Sequence, residues 1–92
     1  MKFEWGERKN DENIRKHRID FADVPSVFDG PMLIDLDERI EYGETRFAGI
    51  GLLRNTIVVV VFIERGPDTI RLISARKALK HERKRFEQEI PH

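Results

Sequence analysis

The chain contains no cysteine among its 92 residues, so neither a disulfide framework nor a thiolate metal site can form. It has no long apolar run either. The longest, Ile57 to Ile63, is far short of the roughly 20 residues that a membrane-spanning helix needs. The opening stretch MKFEWGERKN lacks the apolar centre of a signal peptide, so a cytoplasmic protein is expected. There is no GxGxxG, no GxxxxGK and no HExxH, which leaves nucleotide-dependent and zinc chemistry without support. No repeat, linker or low-complexity segment divides the chain, and residues 1–92 read as one small domain with a thin core.

Charge is plentiful but balanced, with 17 basic and 17 acidic residues. The balance hides a segregation. Residues 20–44 carry eight acids against Arg39 alone, whereas residues 64–92 carry eight Lys or Arg against five acids. A basic end of this kind suits a polyanion, and the acidic middle suits a basic partner or plain solvation. Asp35, Asp37, Glu38 and Glu41 match no strict metal template, so an acidic solvated face is expected there and no metal or cofactor is assigned.

The hydrophobic pattern predicts a short opening strand around Phe3 and Trp5, then a surface helix from about Glu7 to His17 with Gly6 as its cap. A second helical stretch, Phe21 to Phe28, is capped by Asp20 and made irregular by Pro25. Strands follow at Met32–Asp37 and Arg46–Leu53, joined by an acidic loop over residues 38–44. Gly49 and Gly51 share one face of the second of these, which implies close approach or a bulge. The strongest strand signal is Thr56–Glu64, β-branched on both faces and therefore central. A last strand, Thr69 to Ala75, turns at Ser74-Ala75-Arg76 into a basic C-terminal helix. The class is α+β: a short N-terminal strand and two helices, a four-strand antiparallel meander, and a C-terminal helix.

Candidate functional residues cluster towards the end of the chain. Glu64 and Arg65 leave the core at the end of the central strand, and Arg76 is placed at the start of the final helix, where free N–H groups favour an anion. With Lys77 the two arginines form a possible phosphate cradle. Alternation puts Arg71 and Ser74 on opposite faces of the last strand. The blander alternative is that Glu64 pairs with one of the arginines across the hairpin and fixes register. His17, at the end of the first helix, suits the negative end of the helix dipole and also suits general acid–base work. His81 and His92 read as solvated surface.

Four segments taken together, FEWGERKNDENIRKH, RFAGIG, VVVVFIERG and RLISARKALKHER, resemble the BrnT family of ribonuclease toxins from type II toxin–antitoxin pairs, in the right order over nearly the whole chain. The resemblance implies a compact RelE-like fold, metal-independent RNA cleavage, and a ribbon-helix-helix (BrnA-like) antitoxin whose complex with the toxin binds its own promoter DNA. The family's pattern falls on Lys9, Asn13, Lys16, His17, Glu64, Arg65, Arg71, Ser74, Arg76, Lys77, Glu82 and Arg83. Gly6 departs from it, since an aspartate usually follows the tryptophan.

On that basis His17, Glu64, Arg65 and Arg76 are the expected catalytic residues, and Lys9, Arg71, Ser74, Lys77 and Arg83 the expected RNA contacts. Glu64 or His17 would take the proton of the RNA 2′-OH as it attacks phosphorus, and Arg65 and Arg76 would stabilise the developing charge. The products would be a 2′,3′-cyclic phosphate and a 5′-hydroxyl, and DNA would be left uncut. The alternative is a non-catalytic module that binds nucleic acid or protein through the basic C-terminal helix; an interaction subunit that only completes a complex is a third reading.

Overall fold

The computed structural model describes residues 1–39, 41 and 43–91. Its elements are β1 (Lys2–Glu4), α1 (Glu7–His17), a 3₁₀ helix (Phe21–Asp29), β2 (Leu33–Leu36), β3 (Phe47–Leu53), β4 (Thr56–Glu64), β5 (Thr69–Lys77) and α2 (Lys80–Glu89). The sheet order is β1-β5-β4-β3-β2, antiparallel throughout except that β1 joins β5 in parallel. Ile40, Tyr42 and His92 lie outside the described residues, so part of the expected 38–44 loop and the His92 reading do too. No helix among the described residues is long and apolar enough to cross a membrane.

β4 lies in the middle because its side chains are apolar on both faces. Val58, Val60 and Phe62 enter one core with Phe21, Val24, Val27, Leu72 and Ala75, while Val59 enters a second with Ile50, Ala78 and Phe86 under α2. Phe21, Val24 and Val27 are three residues apart. A 3₁₀ helix has three residues per turn, so this spacing puts all three on one face, each burial contributing about 1.5–3 kcal/mol. Asp20 caps that helix by accepting from the Ala22 N–H at 2.9 Å, and the bond with Asn10 adds to it. Both bonds hold the Asp20 carboxyl below its usual range.

The two glycines of β3 serve close approach. A Cβ on Gly51 would stand 2.7 Å from Val27 Cγ1, and one on Gly49 would stand 2.6 Å from Met32 Cε. The 3₁₀ helix and the residues before β2 therefore settle directly onto bare backbone.

α1 docks by polar means. Its buried residues are Asn10 and Asn13. β1 covers β5 only from Thr69 to Arg71, leaving the rest of that strand's outer edge open. Asn13 closes it: its Nδ2 donates to the Ala75 carbonyl at 2.9 Å, and its Oδ1 accepts from the Ala75 N–H at 3.0 Å. One side-chain amide thus stands in for a neighbouring strand, and the same Nδ2 also donates to the Ile19 carbonyl at 2.9 Å. Asn10 accepts from the Phe21 N–H at 2.8 Å, fixing the turn into the 3₁₀ helix.

Two expectations for the end of the chain are corrected. β5 runs on to Lys77, with Arg76 opposite Val59 and Lys77 opposite Val58, and the Ala78 N–H continues the ladder to the Ile57 carbonyl at 3.0 Å. The long β4 supplies backbone partners that outweigh the helix preference of Ala75-Arg76-Lys77. α2 starts only at Lys80, where Glu82 accepts from the Leu79 N–H at 2.7 Å. Arg76 is therefore a strand residue and not the first residue of a helix.

The second correction concerns Arg71 and Ser74. The register shifts between Val61 and Phe62, pairing Phe62 with Leu72 but Val61 with Ser74. Ile73 is the extra residue of a bulge. Arg71, opposite Ile63, and Ser74, opposite Val61, consequently share a face, where simple alternation would have separated them.

Candidate active site

α1 runs beside the outer edge of β5 and leaves a cavity of about 140 Å³ between them, lined by Lys9, Glu12, Asn13, Lys16, His17, Ile73 and Ser74. The helix period explains the first five, since residues 9, 12, 13, 16 and 17 recur at spacings of three and four on one face. The bulge explains Ser74. It leaves Ile73 against α1 and turns Ser74 to the face already occupied by Arg71 and Arg76. The Asn13 clamp sets the distance between helix and strand and so the cavity's width.

Electrostatics separates this cavity from the larger cleft beneath α2. That cleft, of about 290 Å³, contains Arg39, Arg76 and Arg85, yet each is tied to a carboxylate. Arg39 meets Asp37 at 2.7 Å, Arg85 meets Asp35 at 2.6 Å, and Arg76 grips Glu82 with two bonds of 2.8 and 2.9 Å. The Arg76 bonds, helped by the Leu79 N–H, hold the Glu82 carboxyl down to about 2, and the same pairing raises Arg76. In the smaller cavity neither Lys9 nor Lys16 forms an ion pair among the described residues. Uncommitted cations beside a histidine and a hydroxyl are what a phosphodiester needs.

The structure therefore brings together Lys9, His17 and Ser74, and sets Arg71 and Arg76 on the same face of β5 as Ser74. Arg71 is held by Glu4 at 2.7 Å. Arg76 keeps donors beyond those given to Glu82 and the Lys77 carbonyl, because a guanidinium has five N–H groups. Lys77 projects from the opposite face, opposite Val58. Arg83 lies on α2 and donates to the Ala78 carbonyl at 2.8 Å, bracing the start of its own helix.

Glu64 and Arg65 are elsewhere. Glu64 pairs with Ile70 at the hairpin end of the sheet, five residues from Val59, which puts it about 17 Å along the strand from the Arg76 level. It is also on the opposite face from Ser74 and Arg76, lining a separate cavity with Pro67 and Asp68. Arg65, Arg76 and Lys77 thus form no common cradle. Nor does Glu64 pair with an arginine across the hairpin, for it makes no ion pair among the described residues. Glu12 was not singled out from the sequence; its place one turn before Lys16 was the available signal.

The family model for the ribonuclease toxin BrnT of type II toxin–antitoxin systems matches residues 5–82. The chain belongs to the BrnT family. Among solved structures, the Brucella abortus ribonuclease toxin BrnT aligns with a TM-score of 0.65 at 29% identity, covering 87% of this chain and 99% of that one. No curated protein matches the chain. The BrnT match spans α1, all of β2 to β5 and the first turn of α2, so every residue of the α1–β5 cavity falls inside it. The BrnT-family assignment also agrees with the α+β architecture of sheet and flanking helices.

Proposed function

We propose that this BrnT-family toxin cleaves RNA at the α1–β5 cavity without a metal ion, and that an antitoxin neutralises it. The observation that carries the reading is the grouping of His17 and Ser74 with Lys9 and Lys16, which form no ion pair among the described residues, in a chain of a ribonuclease-toxin family. His17 takes the proton of the 2′-OH, whose oxygen then bonds to phosphorus as the bond from phosphorus to the 5′-oxygen breaks. The ammonium of Lys9 or Lys16 returns a proton to the leaving 5′-oxygen. The other ammonium and the Ser74 hydroxyl offset charge on the non-bridging oxygens. Arg71 and Arg76, on the Ser74 face, hold the flanking backbone, and Arg65 at the hairpin end reaches a more distant phosphate. Glu64, on the opposite face, is the weaker candidate for the base.

The antitoxin is proposed to be a ribbon-helix-helix protein, with the pair acting at its own promoter in the cytoplasm. The test is direct. Partner-free chain is incubated in EDTA with an RNA oligonucleotide and its all-deoxy counterpart. Cleavage of the RNA alone supports the reading, and intact RNA bound to the protein supports the binding-module alternative.

A further inference from the structure

The opposite edge of the sheet is built to receive something. β2 ends the strand order, and no strand among the described residues covers its outer side. The Asp37 N–H donates inward to the Arg46 carbonyl at 2.8 Å. Antiparallel alternation then turns the amides of Leu33 and Asp35 inward and those of Ile34 and Leu36 outward. The two residues with outward backbone groups also carry exposed apolar side chains, Ile34 at 51% and Leu36 at 55% exposure. A bare edge with exposed aliphatic residues is one that proteins usually blunt.

Charge identifies the occupant. Residues 33–44 hold five acids, Asp35, Asp37, Glu38, Glu41 and Glu44, against Arg39. Glu38 makes no ion pair among the described residues, and Glu41 accepts only a Gly43 N–H at 3.0 Å. Leu36, Glu38 and Glu41 line a cavity of about 530 Å³. Two copies pairing edge to edge as antiparallel strands would carry Glu38 and Glu41 of each past Leu33 of the other, towards residues 29–32, which hold no base. A basic strand can pair with both carboxylates.

The geometry points to the β2 edge as a docking site for an extended segment of another protein, alternating apolar and basic residues, which adds to the sheet as a sixth strand. Its apolar side chains pack beside Ile34 and Leu36, and its basic ones reach Glu38 and Glu41. The edge lies across the sheet from the α1–β5 cavity and binds independently of it, so loss of one activity leaves the other measurable.

The probe is a fluorescent nine-residue peptide alternating valine and lysine, compared with one alternating valine and glutamate. Binding is read by anisotropy and by residue-resolved amide exchange. The lysine peptide is expected to bind at least tenfold more tightly than the glutamate peptide and to slow exchange at Ile34 and Leu36 at least tenfold. An Ile34→Lys/Leu36→Lys double variant, whose changes are at exposed positions and whose folding is checked by circular dichroism, should lose at least tenfold in affinity for the lysine peptide. Equal binding by the double variant would overturn the proposal, as would protection confined to other strands. Self-association of the wild-type chain that the double variant abolishes would also overturn it, by making a second copy the occupant.

Discussion

Replacing Asn13 by alanine should be among the most damaging single changes in the chain. The side chain is buried and makes three hydrogen bonds, two with Ala75 and one with the Ile19 carbonyl. Alanine leaves three buried backbone groups without partners. Each unsatisfied group costs about 1–3 kcal/mol, and water entering the vacated space recovers part of it, so a net loss of about 3–4 kcal/mol is expected. That is a large fraction of the roughly 5–15 kcal/mol of a typical domain. At about 4–8 °C per kcal/mol for a domain of this size, Tm should fall by about 15–25 °C. Urea denaturation followed by circular dichroism checks this through the midpoint at unchanged slope. Asn13→Asp should do no better, because a carboxylate cannot donate to the Ala75 and Ile19 carbonyls. A loss below about 1 kcal/mol for Asn13→Ala would refute the idea that this amide closes the strand edge.

Other substitutions test separate contacts. Glu82→Gln should cost about 1–2 kcal/mol at neutral pH by weakening the paired bonds to Arg76. Because folding lowers the Glu82 carboxyl from 4.5 to about 2, its stabilisation is complete above pH 4.5 and lost as pH falls towards 2. Acid titrations of variant and wild type should therefore converge across that window. Gly51→Ala should cost about 1–3 kcal/mol in urea titration, since its Cβ meets branched Val27; Gly49→Ala should cost less, since it meets the flexible tip of Met32. Gly6→Asp should raise stability by about 0.5 kcal/mol in the same assay, through a better N-cap and a carboxylate placed near Arg71.

Local pattern and long-range pairing were unequally legible in the chain. The bounds of α1 and β4 follow from residues inside those elements: a capped polar helix ending at His17, and a β-branched run that can only be central. The irregular second helix was legible as Asp20 and Pro25, but the three-residue spacing of Phe21, Val24 and Val27 fits one face of either helix type and left its 3₁₀ form open. The end of β5 was not legible. Ala75-Arg76-Lys77 has the local preference of a helix, and only the length of β4 decides otherwise. The bulge at Ile73 was equally hidden, because register is a property of two strands. That hidden register is what sets Arg71, Ser74 and Arg76 on one face. From its sequence α1 reads as a surface helix, yet Asn10 and Asn13 are buried in it. The residue types proposed for RNA cleavage were thus visible, while their division between the α1–β5 cavity and the distant hairpin was not.

The most direct test of the central claim is a map of RNA ends produced in EDTA by the wild-type chain, His17→Ala and Glu64→Gln, each shown to be folded. The wild type is expected to leave 2′,3′-cyclic phosphate and 5′-hydroxyl ends. His17→Ala should cut about 100-fold or more slowly, and Glu64→Gln should stay within a few-fold of the wild type. Full activity in His17→Ala, or its loss in Glu64→Gln alone, would contradict a site centred on the α1–β5 cavity.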